Sequence, residues 1–391
     1  MRADTTCLID FADPRDAQAP RLRHAFGPPR REWVAQHPAQ VHEVLQAAHH
    51  AALQGAWCVG QVRYEAAAAF DAALHTHPAD GPLAVFQAFD EARPWPLALD
   101  ALADQAPRPV WADGCDRAAF GAALAHIHQA IADGEVYQVN FTAALQATLP
   151  AAQQQDAVEA AQADRATTLA LFAALQRAQP GGYAACLDMG GEQVLSVSPE
   201  LFFDWDGQRL LTRPMKGTAP RGATPEADAA QAQALRASPK ERAENVMIVD
   251  LLRNDVSRVA LPHSVRVPAL FELQALPSVW QMTSDVQALT RPGTTLADVF
   301  AALFPCGSVT GAPKVRAMQL IRTLERGPRG VYCGAVGVLQ PGGAARFNVP
   351  IRTVVRRGQA LRCGVGSGIT ADALARAEWA EWRHKRRFLQ E

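Results

Sequence analysis

Lys216 stands in the run Thr212-Arg213-Pro214-Met215-Lys216-Gly217-Thr218, sixteen residues after Glu200 of Ser198-Pro199-Glu200-Leu201. Proline fixes the backbone before the lysine and glycine frees it afterwards, which suits an amine set at a fixed point. A lone Lys-Gly pair is usually a solvated turn. Beside a carboxyl, however, an amine can serve as nucleophile while the carboxyl serves as general acid. A second group of charges lies near the end of the chain. Glu378, Glu381 and Lys385 are spaced i, i+3 and i+7, so on a helix they share one face, with Trp379 and Trp382 on an adjoining, inward face. Two carboxylates one turn apart can hold a hard cation such as Mg²⁺, with water and substrate completing the coordination. Glu244, on an apolar helix that also carries Asp250, Arg253 and Asp255, is the expected third ligand, whereas Arg253 is read as pairing with the aspartates.

Two glycine-rich stretches could receive an anion. Thr310-Gly311-Ala312-Pro313-Lys314 opens a helix, where free N–H groups favour a carboxylate. Gly364-Val365-Gly366-Ser367-Gly368 reads as a turn between a strand and the last helix. It lacks the third glycine of a dinucleotide fingerprint, and no later strand follows to supply a ribose-binding acid. Arg352, read as a strand residue, is a candidate carboxylate clamp. Together these groups describe a site for a small polyanionic organic acid, with one carboxylate bridged by Mg²⁺ and Lys216 and Glu200 beside it.

The elements that must position this chemistry are clearest after Asp116. Asp116 caps a helix to Ile131 with Gly134 as its stop, a strand covers 135–148, and an Ala- and Gln-rich helix covers 150–178. Strands follow at 182–189, 193–197, 201–205 and 209–213. Ser238-Pro239-Lys240-Glu241 predicts a helix start with Glu241 returning the capping bond. Strands near 263–288, helices at 295–303 and 313–325, strands at 331–339, 345–355 and 359–366, and a helix over 372–389 complete the pattern. Strands come in groups rather than alternating one to one with helices, which predicts α+β with antiparallel sheets. Residues 1–112 read as a looser N-terminal region that contributes to the sheets, in which only 56–73 suggests a strand and turn; 113–391 reads as the catalytic domain.

A net charge of −1 excludes a strong electrostatic pull toward nucleic acid or a membrane surface. No apolar run approaches the ~18 residues of a membrane span, and Met1-Arg2-Ala3-Asp4 begins no export signal. Seven cysteines with no Cys-x-x-Cys pair predict reduced, buried thiols in a cytoplasmic protein. His126 and His128, two apart on a helix, face different ways and cannot share a metal.

These segments together resemble the chorismate-utilising family of anthranilate, aminodeoxychorismate, isochorismate and salicylate synthases. The likeness rests on Gly134-Glu135-Val136-Tyr137-Gln138-Val139-Asn140, Ser198-Pro199-Glu200, Arg213 to Thr218, Arg242-Ala243-Glu244-Asn245 with Asp250 to Asp255, Gly311-Ala312-Pro313-Lys314, Tyr332-Cys333-Gly334-Ala335, and Gly366-Ser367-Gly368 with Glu378 and Glu381. It implies two facing antiparallel sheets flanked by helices, an α/β sandwich with the site in the central cleft. Lysine at 216, where anthranilate synthases usually carry alanine, and no lysine in the strand 137–140 place the resemblance with aminodeoxychorismate synthases. It further implies Lys216 as the amine attacking C2 of chorismate, Glu200 as acid at the C4 hydroxyl, and Mg²⁺ on Glu244, Glu381 and Glu378. Gly217 and Thr218 would border the ring, with Tyr332, Arg352, Gly366 and Lys385 on the enolpyruvyl carboxylate and Thr310, Gly311, Ser367 and Gly368 lining the substrate. Ammonia would come from a separate glutamine amidotransferase. Two departures stand out: Gln281, where relatives often carry histidine, and Gln179-Pro180-Gly181-Gly182-Tyr183, where relatives with a tryptophan pocket often show Asn-Pro-x-Pro-Tyr.

Overall fold

The structure is a computed structural model that describes residues 5–150, 157–276 and 279–390. Strands β1 (Cys7–Phe11), β2 (Leu22–Phe26) and β3 (Arg31–Ala35) precede helix α1 (Pro38–Leu53), β4 (Trp57–Val62), β5 (Ala84–Phe89) and the short β6 (Arg93–Pro94). Next come α2 (Arg117–Ala132), β7 (Gln138–Thr148), α3 (Ala157–Ala178), β8 (Tyr183–Asp188), β9 (Gln193–Ser198), β10 (Leu201–Trp205), β11 (Arg209–Arg213) and β12 (Met215–Pro220). Then follow α4 (Pro225–Ala237), α5 (Pro239–Ser257), β13 (Arg266–Ala275), β14 (Val279–Leu289), α6 (Leu296–Leu303), the two-residue β15 (Gly311–Ala312) and α7 (Lys314–Leu324). The chain closes through β16 (Ala335–Leu339), β17 (Ala345–Asn348), β18 (Thr353–Arg357), β19 (Ala360–Ile369) and α8 (Ala375–Lys385).

Two antiparallel sheets result. One has nine strands in the order β15-β7-β19-β18-β9-β8-β1-β2-β6; the other has ten, β12-β14-β11-β10-β17-β16-β4-β5-β3, with β13 paired to β14. Alternating side chains explain the layering. Ile9, Phe11, Val59, Val85, Leu187, Leu211 and Val336 form one buried cluster from strands of both sheets, so the sheets face each other. The reverse face of the nine-stranded sheet packs on α2, α3, α7 and α8 through Phe120, Leu124, Phe172, Leu320 and Trp382. The reverse face of the ten-stranded sheet packs on α1, α5 and α6 through Leu45, Phe203, Ile248, Phe300 and Phe347. This is the expected sandwich.

Caps follow the local sequence. Asp116 accepts from Ala119 N at 2.7 Å and starts α2. Ser238 accepts from Glu241 N at 3.4 Å and starts α5. The expected return bond from Glu241 is not among the contacts of this cap, because the Glu241 side chain lies against Gly217 instead.

The looser reading of the first region is corrected. β1, β2 and β6 join one sheet and β3 to β5 the other, with α1 on the outer face of the latter. Small alanines hide the apolar stripe of α1, yet Val41, Val44, Leu45 and Ala48 are buried. α4 was also unread; only Leu235 of it is buried, so it carries almost no periodic signal. The segment 151–156 of the expected 150–178 helix, and residues 277–278 beside Gln281, lie outside the described residues.

Candidate active site

β12 and β14 shift register between Met215 and Thr218, so Lys216 and Gly217 occupy a bulge. A bulge bends the strand and re-aims its side chain. Gly217 has φ +84, which glycine alone adopts cheaply. The Lys216 amine donates to Ser308 O at 3.3 Å. It also lies 3.3 Å from where a Cβ on Gly368 would sit, so the amine of one sheet reaches the glycine strip of the other.

Glu200 sits where the chain passes from β9 to β10 and therefore from one sheet to the other. Its backbone is fixed on both sides, because Glu200 N donates to Ser198 Oγ at 3.1 Å and Val349 N donates to Glu200 O at 3.1 Å. The side chain is buried, with Oε1 lacking a partner. Burial pushes the carboxyl above its ordinary range, against a Ser308 hydrogen bond and the Lys216 charge. An orphaned carboxyl oxygen beside an amine is an acid awaiting a ligand.

The glycine strip is a strand, not the turn expected. Gly366, Ser367 and Gly368 lie within β19 and pair with Thr142, Phe141 and Asn140 of β7. Glycine-rich sequence reads locally as a turn, and only the distant pairing with β7 makes it extended. A Cβ at Gly364 would fall 2.3 Å from the Tyr332 ring, and one at Gly368 would fall 2.5 Å from Gln138 Nε2. Bare backbone therefore floors the cleft. Ser367 faces the other way, where Trp382 Nε1 donates to its Oγ at 3.1 Å, making it a support of α8.

Above the strip, α5 and α8 bring together Glu241, Glu244, Glu378 and Glu381. Burial pushes Glu378 up, and the Glu381 charge adds to this. Burial likewise raises Glu244, with Glu241 and Glu381 adding repulsion and Lys216 opposing. Glu241 rises by burial with contributions from Glu381 and Glu378. Glu381 moves the other way: burial opposes it, but the Lys385 amine at 2.6 Å holds it below the ordinary range. These carboxylates repel one another, and the lysines Lys216, Lys240 and Lys385 offset part of that charge. Among the described residues no three groups converge tightly enough to cage a metal. The donor chemistry fits Mg²⁺ all the same, because that ion takes one or two carboxylates and leaves the rest of its shell to water and substrate.

Arg352 lies in a bend before β18, not on a strand, with φ +48. Its guanidinium donates to Gln179 Oε1. No carboxylate pairs with it among the described residues, and burial pulls its pKa below the usual arginine value. A desolvated, unpaired cation invites an anion. Tyr332 is a buried turn residue rather than a strand residue; Lys385 donates to Gly366 O at 2.9 Å.

The 310–314 segment differs from the expected open helix start. Gly311 and Ala312 pair with Val139 and Gln138 as β15, and Asn140 N donates to Thr310 O at 2.8 Å. The Thr310 hydroxyl is spent on Cys306 O and Gly307 O. Thr310 and Gly311 thus shape the wall. Lys314 is taken by Asp255 at 2.7 Å, and Arg253 pairs with Asp250 at 2.7 Å as expected.

Sequence reasoning assigned no role to three residues of the site. Glu241 was read as a cap. Gln138 is fully buried beside Lys216 and Gly368 with neither amide atom partnered. Ser308 touches both Lys216 and Glu200. Only the meeting of distant segments reveals these three, although the expectation of a substrate site beside Lys216 marked the neighbourhood.

The site geometry agrees with what known proteins resemble. Residues 90–391 match the chorismate binding enzyme family. Aminodeoxychorismate synthase component 1 of Salmonella typhimurium is 38% identical over 272 residues, 70% of this chain and 57% of that protein. The aminodeoxychorismate synthase of Streptomyces griseus is 41% identical over 297 residues, 72% of this chain and 39% of that protein. The chain thus spans roughly half the length of these curated relatives. Among solved structures, anthranilate synthase component I of Streptococcus pneumoniae superposes with TM-score 0.74 at 22% identity, covering 100% of this chain and 93% of that one. The menaquinone-specific isochorismate synthase of Escherichia coli gives 0.74 at 17% identity over 99% and 88%, a likeness of fold. With its family match spanning most of its length and its two-sheet fold shared, the chain belongs to the chorismate binding enzymes.

Proposed function

We propose that the chain aminates chorismate, as an aminodeoxychorismate synthase component I acting in the cytoplasm with ammonia from a separate glutamine amidotransferase. One observation carries this reading: the Lys216 amine and the Glu200 carboxyl, whose Oε1 lacks a partner, share a cleft and meet at Ser308.

The Lys216 nitrogen attacks C2 of the ring with its lone pair while the C4 hydroxyl leaves as water with the Glu200 proton. Ammonia then forms the bond to C4, its surplus proton returns to Glu200, and the C2–nitrogen bond breaks to release Lys216. The raised pKa of Glu200 favours the protonated form that the first step needs. Arg352 and Lys385 would hold the enolpyruvyl carboxylate, with Tyr332, Gly366 and Gly368 giving the ring room. One or two carboxylates of the set Glu244, Glu378 and Glu381, with Glu241 beside them, would hold Mg²⁺ against the ring carboxylate. Mg²⁺ supplies charge neutralisation there.

The thiols support an outside ammonia source. All seven cysteines are buried, and burial raises each thiol, Cys306, Cys333 and Cys363 to about 12. A glutaminase needs an accessible thiolate, and none of these thiols offers one. Incubation with chorismate, Mg²⁺ and ammonium salt, followed by product mass and retention, tests the reading. The expected product is 4-amino-4-deoxychorismate; anthranilate or isochorismate would replace it with the other chemistries of the family.

A further inference from the structure

Gln281 stands on β14 opposite the bulge that carries Lys216, and its side chain does what the ladder cannot do there. An extra residue on β12 leaves backbone groups without strand partners. Gln281 Nε2 donates to Gly217 O at 2.8 Å, and Gln281 Oε1 accepts from Thr218 Oγ1 at 3.0 Å. The amide therefore grips the two residues that follow Lys216. On the opposite side Gly217 is pressed by Glu241, whose Oε2 lies 2.9 Å from where a Cβ would sit. Gln281 is 9% exposed, so its amide is pinned as well.

We propose that Gln281 is a positioning residue: its neutral amide locks the bulge at Gly217 and thereby sets the direction of the Lys216 amine. Its role in turnover rests on the amination reading above. Neutrality matters because the amide donates and accepts at once, at every working pH. A carboxylate in its place would turn an acceptor toward Gly217 O, and an imidazole would change its donors as it titrates. Gln281 does not touch the reacting atoms in this arrangement; it acts through Lys216.

The test uses the full chain with Gln281→Met, which keeps length but loses both hydrogen bonds, and Thr218→Val, which loses one. A nucleophile displaced by about 1 Å can lose about 100-fold in rate. Gln281→Met is therefore expected to lower kcat by about 10- to 100-fold while KM for chorismate moves by less than about threefold. Thr218→Val should lie between it and the parent. In a Lys216→Ala background Gln281→Met should add no further loss, because it has no amine left to aim. Losses that add in the double variant, or a rise in KM at constant kcat, would overturn the proposal and put Gln281 on the substrate directly.

Two measurements need no turnover. Hydrogen exchange of the 215–219 amides should quicken in Gln281→Met while α8 stays protected. The rate at which acetic anhydride labels Lys216 should change by several-fold, with Lys240 and Lys385 unaltered as read by peptide mass. If the parent protein fails to aminate chorismate, the function reading falls while these two results still decide the clamp. Unchanged exchange together with unchanged labelling would refute it.

Discussion

Replacing Glu244 with glutamine should stabilise the free protein and abolish its stabilisation by Mg²⁺. The sign follows from the carboxylates. Glu241, Glu244 and Glu378 have folded pKa values above their unfolded ones. Each therefore favours folding below the unfolded value of about 4.3 and loses that contribution as pH rises through its raised folded value. Glu381 runs oppositely, since Lys385 lowers it: its contribution is present above the unfolded value and fades as pH falls. At pH 8 three of the four groups oppose folding, and removing one charge relieves its neighbours.

Bound Mg²⁺ reverses the balance. At a concentration one hundred times its dissociation constant, a ligand stabilises by about 2.7 kcal/mol. With 391 residues the unfolding entropy is about 0.8 kcal/mol/K, so the midpoint should rise by about 3 °C. Differential scanning fluorimetry at pH 8 and at pH 5.5, with Mg²⁺ titrated into parent and Glu244→Gln protein, reads all of this. The parent shift should shrink at pH 5.5, where protons compete for the raised carboxyls. Glu244→Gln should start higher at pH 8 and show no Mg²⁺ shift. A variant that starts lower, or that keeps the full shift, would refute the argument that these carboxylates form a cation site.

Lys216→Ala should severely reduce aminodeoxychorismate formation yet keep Mg²⁺-dependent chorismate binding by calorimetry; near-parental turnover would remove the amine from the mechanism. Glu200→Gln should cost about 10²- to 10⁴-fold in kcat. The alkaline limb of the parent should report its raised pKa, with turnover falling as the carboxyl ionises once free NH₃ is saturating. Glutamine should drive no turnover until an amidotransferase is added, whereas ammonium should, and better at alkaline pH. Glu325→Ala should destabilise by about 3–5 kcal/mol, roughly 4–6 °C in a thermal melt. It leaves Arg329 buried after losing a 2.7 Å ion pair, and frees the Thr142 N–H that Glu325 accepts at 2.9 Å.

The reach of the sequence had a physical limit. Lys216, Glu200 and the glutamates of α5 and α8 were readable because charge among apolar residues, or beside proline and glycine, is informative locally. Caps at Asp116 and Ser238 were readable for the same reason. What failed was nonlocal. Gly366 to Gly368 became strand through β7, more than 200 residues earlier in the chain. Arg352 left its expected strand because φ +48 breaks it just before β18. Glu241 gave up its capping bond to face Gly217, and alanine-rich α1 hid its buried stripe.

One feature of topology gathers the site. After β9 the chain changes sheets at β9–β10, β14–β15, β15–β16 and β17–β18. These crossings carry Glu200, Ser308 with Thr310, Tyr332, and Arg352 respectively. They are laced together: Ser198 Oγ donates to Val349 O at 2.5 Å, Val197 N to Arg352 O at 3.1 Å and Cys333 N to Pro350 O at 3.3 Å. Crossing segments cannot continue either ladder, so their side chains are free to turn into the gap between the sheets, while the sheets hold both ends rigid. Strain collects there as well, at Cys333 with φ +63 and Arg352 with φ +48. The Lys216 bulge and the glycine strip supply the remaining walls from within strands. A rigid sandwich whose sheet crossings carry Glu200, Ser308 and Arg352 thus fixes these side chains by holding both ends of each crossing segment.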